Sequence, residues 1–187
     1  NEINSSILEQ MSRSMRHRGP DDEGYALISK NDVVLLGGQD TPQQVYESNQ
    51  VAYAPKQSLS AGHVLPANIA LGHRRLAIQD LSVLGHQPMS YRDRYWMVYN
   101  GEVYNHIELR TELEALGYVF CSHSDTEVVL AAYDCWGVEC LSRFNGMWAF
   151  VLYDQYAHTI FMARDRFGVK PLYFYKKRGL FVFASEI

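Results

Sequence analysis

Ile3, Ile7, Leu8, Met11 and Met15 recur at the spacing of one helical face. Ser6 followed by Glu9 has the capping-box pattern, so a helix is predicted over residues 6–16. HRGPDDEG (17–24) breaks it with Gly and Pro. YALIS and VVLLGG, joined by Lys30-Asn31-Asp32, read as a hairpin. Residues 38–66 are polar and punctuated by Pro and Gly, the pattern of a long surface excursion. NIALGHRRLAI returns to strand character, LSVLGHQPMS reads as a loop, and RYWMVYN as a strand ending at Asn100-Gly101. Asn105 is placed to cap a helix with Ile107, Leu109, Leu113 and Leu116 as its apolar positions, stopped by Gly117. YVF reads as a short strand; Ser124 and Glu127 form a second capping box, opening TEVVLAAYDCW, which ends at Gly137. VECLSRF reads as a short helix, and MWAFVLYD, TIFMARD, LYFYKK and LFVFAS as four strands. Asp154 to His158 and Arg178-Gly179 supply two of the turns.

Strands joined by short turns imply antiparallel sheets, and helices segregated in sequence imply α+β layering. MWAFVLYD and TIFMARD are apolar at both parities, which predicts central strands of a sheet covered on both sides. LGHRRLAIQDL (71–81) poses a physical problem, because neighbours on a strand point to opposite faces. Leu71, His73 and Arg75 point one way; Gly72, Arg74 and Leu76 point the other. One guanidinium is expected to face water, and the other to face inward, where a buried cation needs an anion.

The length of 187 residues suits one domain, 1–187, with a sizeable core. A net charge of -4 gives no electrostatic reason to expect nucleic acid or an anionic membrane as partner. No apolar run approaches the roughly 20 residues of a spanning helix, and NEINSSILEQ does not have the pattern of a signal peptide. Cys121, Cys135 and Cys140 are odd in number and lack a framework spacing, so free thiols in a reducing, cytoplasmic compartment are expected. Cys121, in the short strand predicted before Asp125, reads as a buried structural thiol. No phosphate-loop, zinc-ligand or serine-elbow pattern occurs, so no metal or cofactor is expected in this domain.

Several polar clusters stand at strand ends or helix starts. In NGEVYNH (100–106), Asn100-Gly101 is either a hairpin turn or a pair of donors for a developing oxyanion. Asp125, in HSDTEVV, is either a helix-capping charge or a site carboxylate. Arg75 is either half of a structural ion pair or a substrate clamp, and HRGPDDEG is either a solvated turn or part of the site.

HRGPDDEG, LGHRRLAIQDLS, GHQPM, NGEVYNH, HSDTEV, GMWAFVLYD, ARDRFGVKPLYF and FASEI occur in this order. The series resembles the glutamine amidotransferase domain of glutamine-dependent asparagine synthetases, over residues 5–37 and 68–187. The resemblance implies an N-terminal-nucleophile hydrolase fold, a four-layer αββα sandwich of two antiparallel sheets. It implies hydrolysis of L-glutamine to glutamate and ammonia, with an N-terminal cysteine attacking the amide and its own α-amine as base. It implies that Arg75 holds the substrate α-carboxylate, a task suited to guanidinium geometry, with Arg74 its outward neighbour. Asn100 and Gly101 would stabilise the oxyanion, and Glu102 and Asp125 would hold the α-ammonium. One cation and two anions complement a zwitterion. ARDRFGVKP would be structural or lie at the junction with a partner domain.

The chain departs from that pattern at both ends. Residue 1 is Asn, so the nucleophilic cysteine is not in this chain, and no internal cysteine has a free α-amine beside its thiol. The expectation is that a first strand carrying the cysteine precedes Asn1, rather than that the domain is degenerate; residues 1–187 alone are expected to be inactive. The C-terminal synthetase domain, with its ATP and Mg, is expected outside this chain, and a homodimer is expected for the parent protein. Competing expectations are a non-catalytic glutamine-binding or scaffold domain, and an amidotransferase with another acceptor in polysaccharide or antibiotic biosynthesis.

Overall fold

The computed structural model describes residues 3–30, 32–59, 64, 65, 67–77 and 82–187, with 64 and 65 described by backbone alone. The chain divides into two compact units, Asn1–Ser90 and Tyr91–Ile187.

In the first unit, β1 (Ile3–Asn4) leads into α1 (Ser5–Ser14). The cap is Asn4, whose side chain accepts from the Ser6 N–H at 2.9 Å, so helix initiation falls two residues ahead of the predicted Ser6 box. Then come β2 (Asp22–Ile28), β3 (Val33–Gly37), α2 (Gln43–Glu47), β4 (Gln57–Ser58), β5 (Val64–Leu65) and β6 (Ile69–Arg75). β2 is central, antiparallel to both β3 and β6, and β4 joins β3 in parallel. Every residue of β2 is buried, as a central strand with both faces covered should be. Tyr25, Leu27, Leu36, Leu59 and Ala67 form a core cluster, with Ile3, Leu8, Val34 and Ala70 packed on it. The 38–66 segment is therefore not a purely surface excursion: Val45, Val51, Tyr53, Ala54 and Leu59 are buried. These apolar residues are scattered among polar ones, without the period that marks an element.

β7 (Met89–Tyr91) crosses the boundary, and β8 (Tyr95–Val103), α3 (His106–Ala115), α4 (Asp125–Trp136) and α5 (Cys140–Arg143) follow it. β9 (Gly146–Asp154), β10 (Thr159–Arg164), β11 (Tyr173–Lys177) and β12 (Leu180–Ala184) complete the chain. The sheet order is β10-β9-β8-β7, and β11 and β12 form a separate hairpin whose turn residues Arg178 and Gly179 both have positive φ, as predicted from their chemistry. β9 is buried along most of its length, but β10 is an edge strand with Thr159 and Ile160 exposed, so only one of the two predicted central strands is central. α4 buries Asp125 through Ala132 without interruption. Ser124 caps it through the Thr126 N–H at 3.1 Å. Glu127 reaches past the capping-box position to the N–H groups of Cys121 and Ser122. YVF forms no strand, and Cys121 is exposed rather than buried. Asn105 precedes α3 but caps it with no side-chain bond; its amide instead ties Arg143 and Asn145. Among the described residues no helix is long and apolar enough to cross a membrane. No group of His, Cys, Asp or Glu among them could hold a metal ion.

Candidate active site

β8 does not turn at Asn100-Gly101. It runs through to Val103, pairing Asn100 with Ala149, Gly101 with Trp148 and Val103 with Gly146 on β9. The hairpin alternative is thereby removed. Trp148 spends both backbone groups on Asp165: its C=O accepts from the Asp165 N–H at 2.7 Å and its N–H donates to Asp165 Oδ2 at 3.2 Å. Both groups therefore point away from β8, which makes Gly101–Trp148 a non-hydrogen-bonded pair. Such pairs approach closely. A Cβ on Gly101 would stand 2.5 Å from the Met147 carbonyl oxygen and 2.5 Å from Trp148 Cα, so only glycine fits.

The Gly101 N–H must then point out of the β8 edge that faces away from β9. Val103, at the same parity, shows what that edge meets: its N–H donates to Asp125 Oδ2 at 2.9 Å. Tyr99, again at the same parity, donates its hydroxyl to the same oxygen at 2.7 Å. Burial, with Asp125 beside it, pushes the Tyr99 hydroxyl well above its ordinary pKa, which keeps it a donor. Asp125 is buried, and burial raises its carboxyl; the bonds from Tyr99 and Val103 oppose the shift, and the nearby Glu102 charge adds to it. Both bonds fall on Oδ2, and among the described residues no donor reaches Oδ1. Asn100 and Glu102 lie on the other face of β8 by alternation, each half-buried. Among the described residues, the Gly101 N–H and Asp125 thus share one edge of β8, while Asn100 and Glu102 flank Gly101 in sequence on one face of the strand. Tyr99 and the Val103 N–H, which hold Asp125 there, were not foreseen; the alternation from Gly101 was the signal that could have found them.

Arg75 belongs to the first unit. On β6 the alternation holds, with Glu23 opposite Arg74 and Asp22 opposite Arg75. The assignment of the faces does not hold, since Arg74 is not the outward residue. Its side chain is 4% exposed and is ion-paired to Glu23 and, at 2.8 Å, to Asp40, which also binds Arg16 at 2.7 Å. The anion demanded by an inward arginine is supplied by the protein itself, from β2 and the loop after β3. Arg75 is half-buried, and its Nη1 donates to the Ser82 carbonyl at 3.0 Å. Its guanidinium lies against Gly85, where a Cβ would come within 2.1 Å of Nη2. On the same face Asp22 Oδ2 lies 2.8 Å from His86 Nδ1, and both side chains are buried. Burial, with His86 and Arg75 nearby, lowers His73 to about 3, so His73 is uncharged at neutral pH.

The chain superimposes with a TM-score of 0.75 on a glutamine phosphoribosylpyrophosphate amidotransferase from B. subtilis, covering 99% of this chain and 40% of that one at 24% identity. That likeness shows the expected α+β fold of N-terminal-nucleophile type. It is 38% identical over 181 residues to asparagine synthetase [glutamine-hydrolyzing] 1 of Bacillus subtilis, covering 96% of this chain and 22% of the relative. It is 35% identical over 201 residues to a putative asparagine synthetase [glutamine-hydrolyzing] 2 of Methanocaldococcus jannaschii, covering 100% of this chain and 32% of that protein. The chain therefore spans between about a fifth and a third of the length of these curated relatives. The profile of the glutamine amidotransferase domain matches residues 38–187, a span that includes Arg75, Asn100, Gly101, Glu102 and Asp125. With sequence, fold and domain profile in agreement, this chain belongs to the glutamine amidotransferase domain family.

Proposed function

We propose that the domain binds L-glutamine and hydrolyses its side-chain amide to glutamate and ammonia, as the glutaminase module of an asparagine synthetase-like amidotransferase. The observation that carries this assignment is the parity of β8. Gly101 offers its N–H from the same edge on which Asp125 is fixed through Val103. A substrate lying along that edge would meet a donor for its amide oxygen and a carboxylate for its ammonium. Gly101 N–H and the Asn100 amide stabilise the tetrahedral oxyanion, Asp125 Oδ1 and Glu102 hold the ammonium, and Arg75 holds the α-carboxylate. A thiolate adds to the amide carbon, the C–N bond breaks as the nitrogen takes a proton and leaves as ammonia, and water hydrolyses the thioester. The thiolate is that of an N-terminal cysteine in this proposal, and the residues named here bind substrate and stabilise charge. The ammonia acceptor, an aspartate-like carboxylate, is activated with ATP and Mg by the synthetase domain of the parent protein, a cytoplasmic homodimer in this proposal.

Calorimetric titration of the chain with L-glutamine tests the assignment. Arg75→Ala removes a charge-assisted pair and should weaken binding about 10- to 100-fold. Binding unchanged in Arg75→Ala would sink the assignment of that arginine, and the absence of any heat with the wild-type chain would sink the glutamine reading.

A further inference from the structure

Asp165 carries more hydrogen bonds than the end of a strand requires. Its side chain is buried, and four backbone N–H groups converge on it. Oδ2 accepts from Trp148 at 3.2 Å and Lys170 at 3.0 Å; Oδ1 accepts from Phe167 at 3.1 Å and Val169 at 2.9 Å. Among the described residues no cation pairs with it, so its charge is balanced by backbone dipoles alone. Burial pushes its carboxyl up, yet the four N–H groups prevail and hold it below the usual range.

Two of its bonds grip one residue. The Asp165 N–H and the Asp165 carboxylate take the C=O and the N–H of Trp148. Trp148 is the residue against which Gly101 lies, across a pair that has no ladder bond of its own. The backbone of Trp148 therefore sets how closely Gly101 may approach, while Asp165 sets where that backbone stands. We propose that Asp165 is the positioning residue for the Gly101 N–H, fixing through Trp148 the donor that meets the substrate amide oxygen. The chemical meaning of that donor rests on the glutaminase assignment; the mechanical link does not. An oxyanion donor works within a few tenths of an ångström of about 2.9 Å, so a clamp two residues removed from substrate has leverage on it. Asn at 165 keeps the shape but presents one oxygen, and two of the four N–H groups then face an NH2.

The test is two-dimensional amide NMR of the ¹⁵N-labelled 187-residue chain as wild type, Asp165→Asn and Asp154→Asn. Asp154 is the control: a buried carboxylate at the other end of β9, paired with Arg94 and accepting from Tyr156 and Ala157. Asp165→Asn should displace the Gly101 amide signal and weaken its response to added L-glutamine. Affinity for L-glutamine should stay within about twofold, because Arg75, Glu102 and Asp125 are untouched. Asp154→Asn should leave the Gly101 signal in place. A Gly101 signal unmoved in folded Asp165→Asn, or moved no more than in Asp154→Asn, would overturn the proposal. If Asp165→Asn does not fold, Asp165→Glu displaces the same bonds while keeping the charge, with the same two outcomes. A wild-type Gly101 signal that ignores glutamine, yet moves in Asp165→Asn, would refute the glutaminase assignment and leave the clamp standing.

Discussion

Replacing Arg74 by Met is expected to be among the most damaging single changes in the first unit. The guanidinium is 4% exposed and lies between Glu23, 7% exposed, and Asp40, 13% exposed. Without it, Asp40 keeps Arg16 as partner, but among the described residues Glu23 keeps only the Asp40 N–H at 3.4 Å. An unpaired buried carboxylate costs about 3–5 kcal/mol, which is a large part of the roughly 5–15 kcal/mol that holds a domain folded. With an m-value of about 2 kcal/mol/M, the urea midpoint should fall by about 2 M. Far-UV circular dichroism is the suitable probe, because Trp96, Trp136 and Trp148, the only tryptophans, all lie beyond residue 90. Arg16→Ala, at a side chain 59% exposed, should shift the midpoint little. The double variant Arg74→Met with Glu23→Leu should recover most of the loss, since an apolar set of similar volume is often as stable as the ion pair it replaces. A midpoint for Arg74→Met no lower than that of Arg16→Ala would refute the claim that this arginine is buried and paired.

Gly101→Ala drives a Cβ into backbone atoms that cannot swing aside, and should cost about 3 kcal/mol by urea unfolding, with loss of glutamine binding. Asp125→Asn can still accept from Tyr99 and Val103 but no longer carries a charge that burial disfavours; its melting temperature at neutral pH should match or exceed wild type while calorimetry shows no glutamine binding. Asp154 is held low by Arg94, and Asp165 is held low, against its burial, by backbone N–H groups. Their stabilising contribution is complete above the unfolded carboxyl value of about 3.9 and is lost as pH falls through the lower folded values, so stability should drop below about pH 4, and less steeply in either Asn variant. A thiol reagent followed by mass spectrometry should label exposed Cys121 first, and Cys140, buried and pushed up to about 12, only on unfolding.

Element identity was largely legible in the sequence, because period and turn chemistry are local. Arg178-Gly179 turned where its chemistry said it would, and Ser124 capped α4. The misreadings occurred where a distant residue decides. Asn-Gly is good turn material, yet at 100–101 it continues a strand paired with Ala149 and Trp148 on β9, and the glycine is there because Trp148 leaves no space for a Cβ. Alternation separated Arg74 from Arg75, but which of them is buried depends on Glu23 and Asp40, 51 and 34 residues away. TIFMARD is apolar enough for a central strand and was displaced to an edge by sheet order, which no local pattern records. Asn100, Gly101, Glu102 and Asp125 are named by motif resemblance; the Tyr99 and Val103 bonds that hold Asp125 beside β8 come only from the fold.

The parity of β8 also dictates what this stretch can survive in evolution. Asn100 and Glu102 use one face, Tyr99 the other, and Gly101 and Val103 use the edge, so five consecutive residues carry three directions of demand. Substitutions here can be judged one at a time, but a single-residue insertion or deletion between Tyr99 and Val103 would invert the directions of all residues on one side of it relative to those on the other. A two-residue change would restore the directions yet carry the Asp125 anchor about 6.8 Å along the strand from the Gly101 donor. Length variation in this domain should therefore be confined to the segments flanking β8, such as 104–124 on its C-terminal side, with Tyr99–Val103 constant in length even where its letters differ.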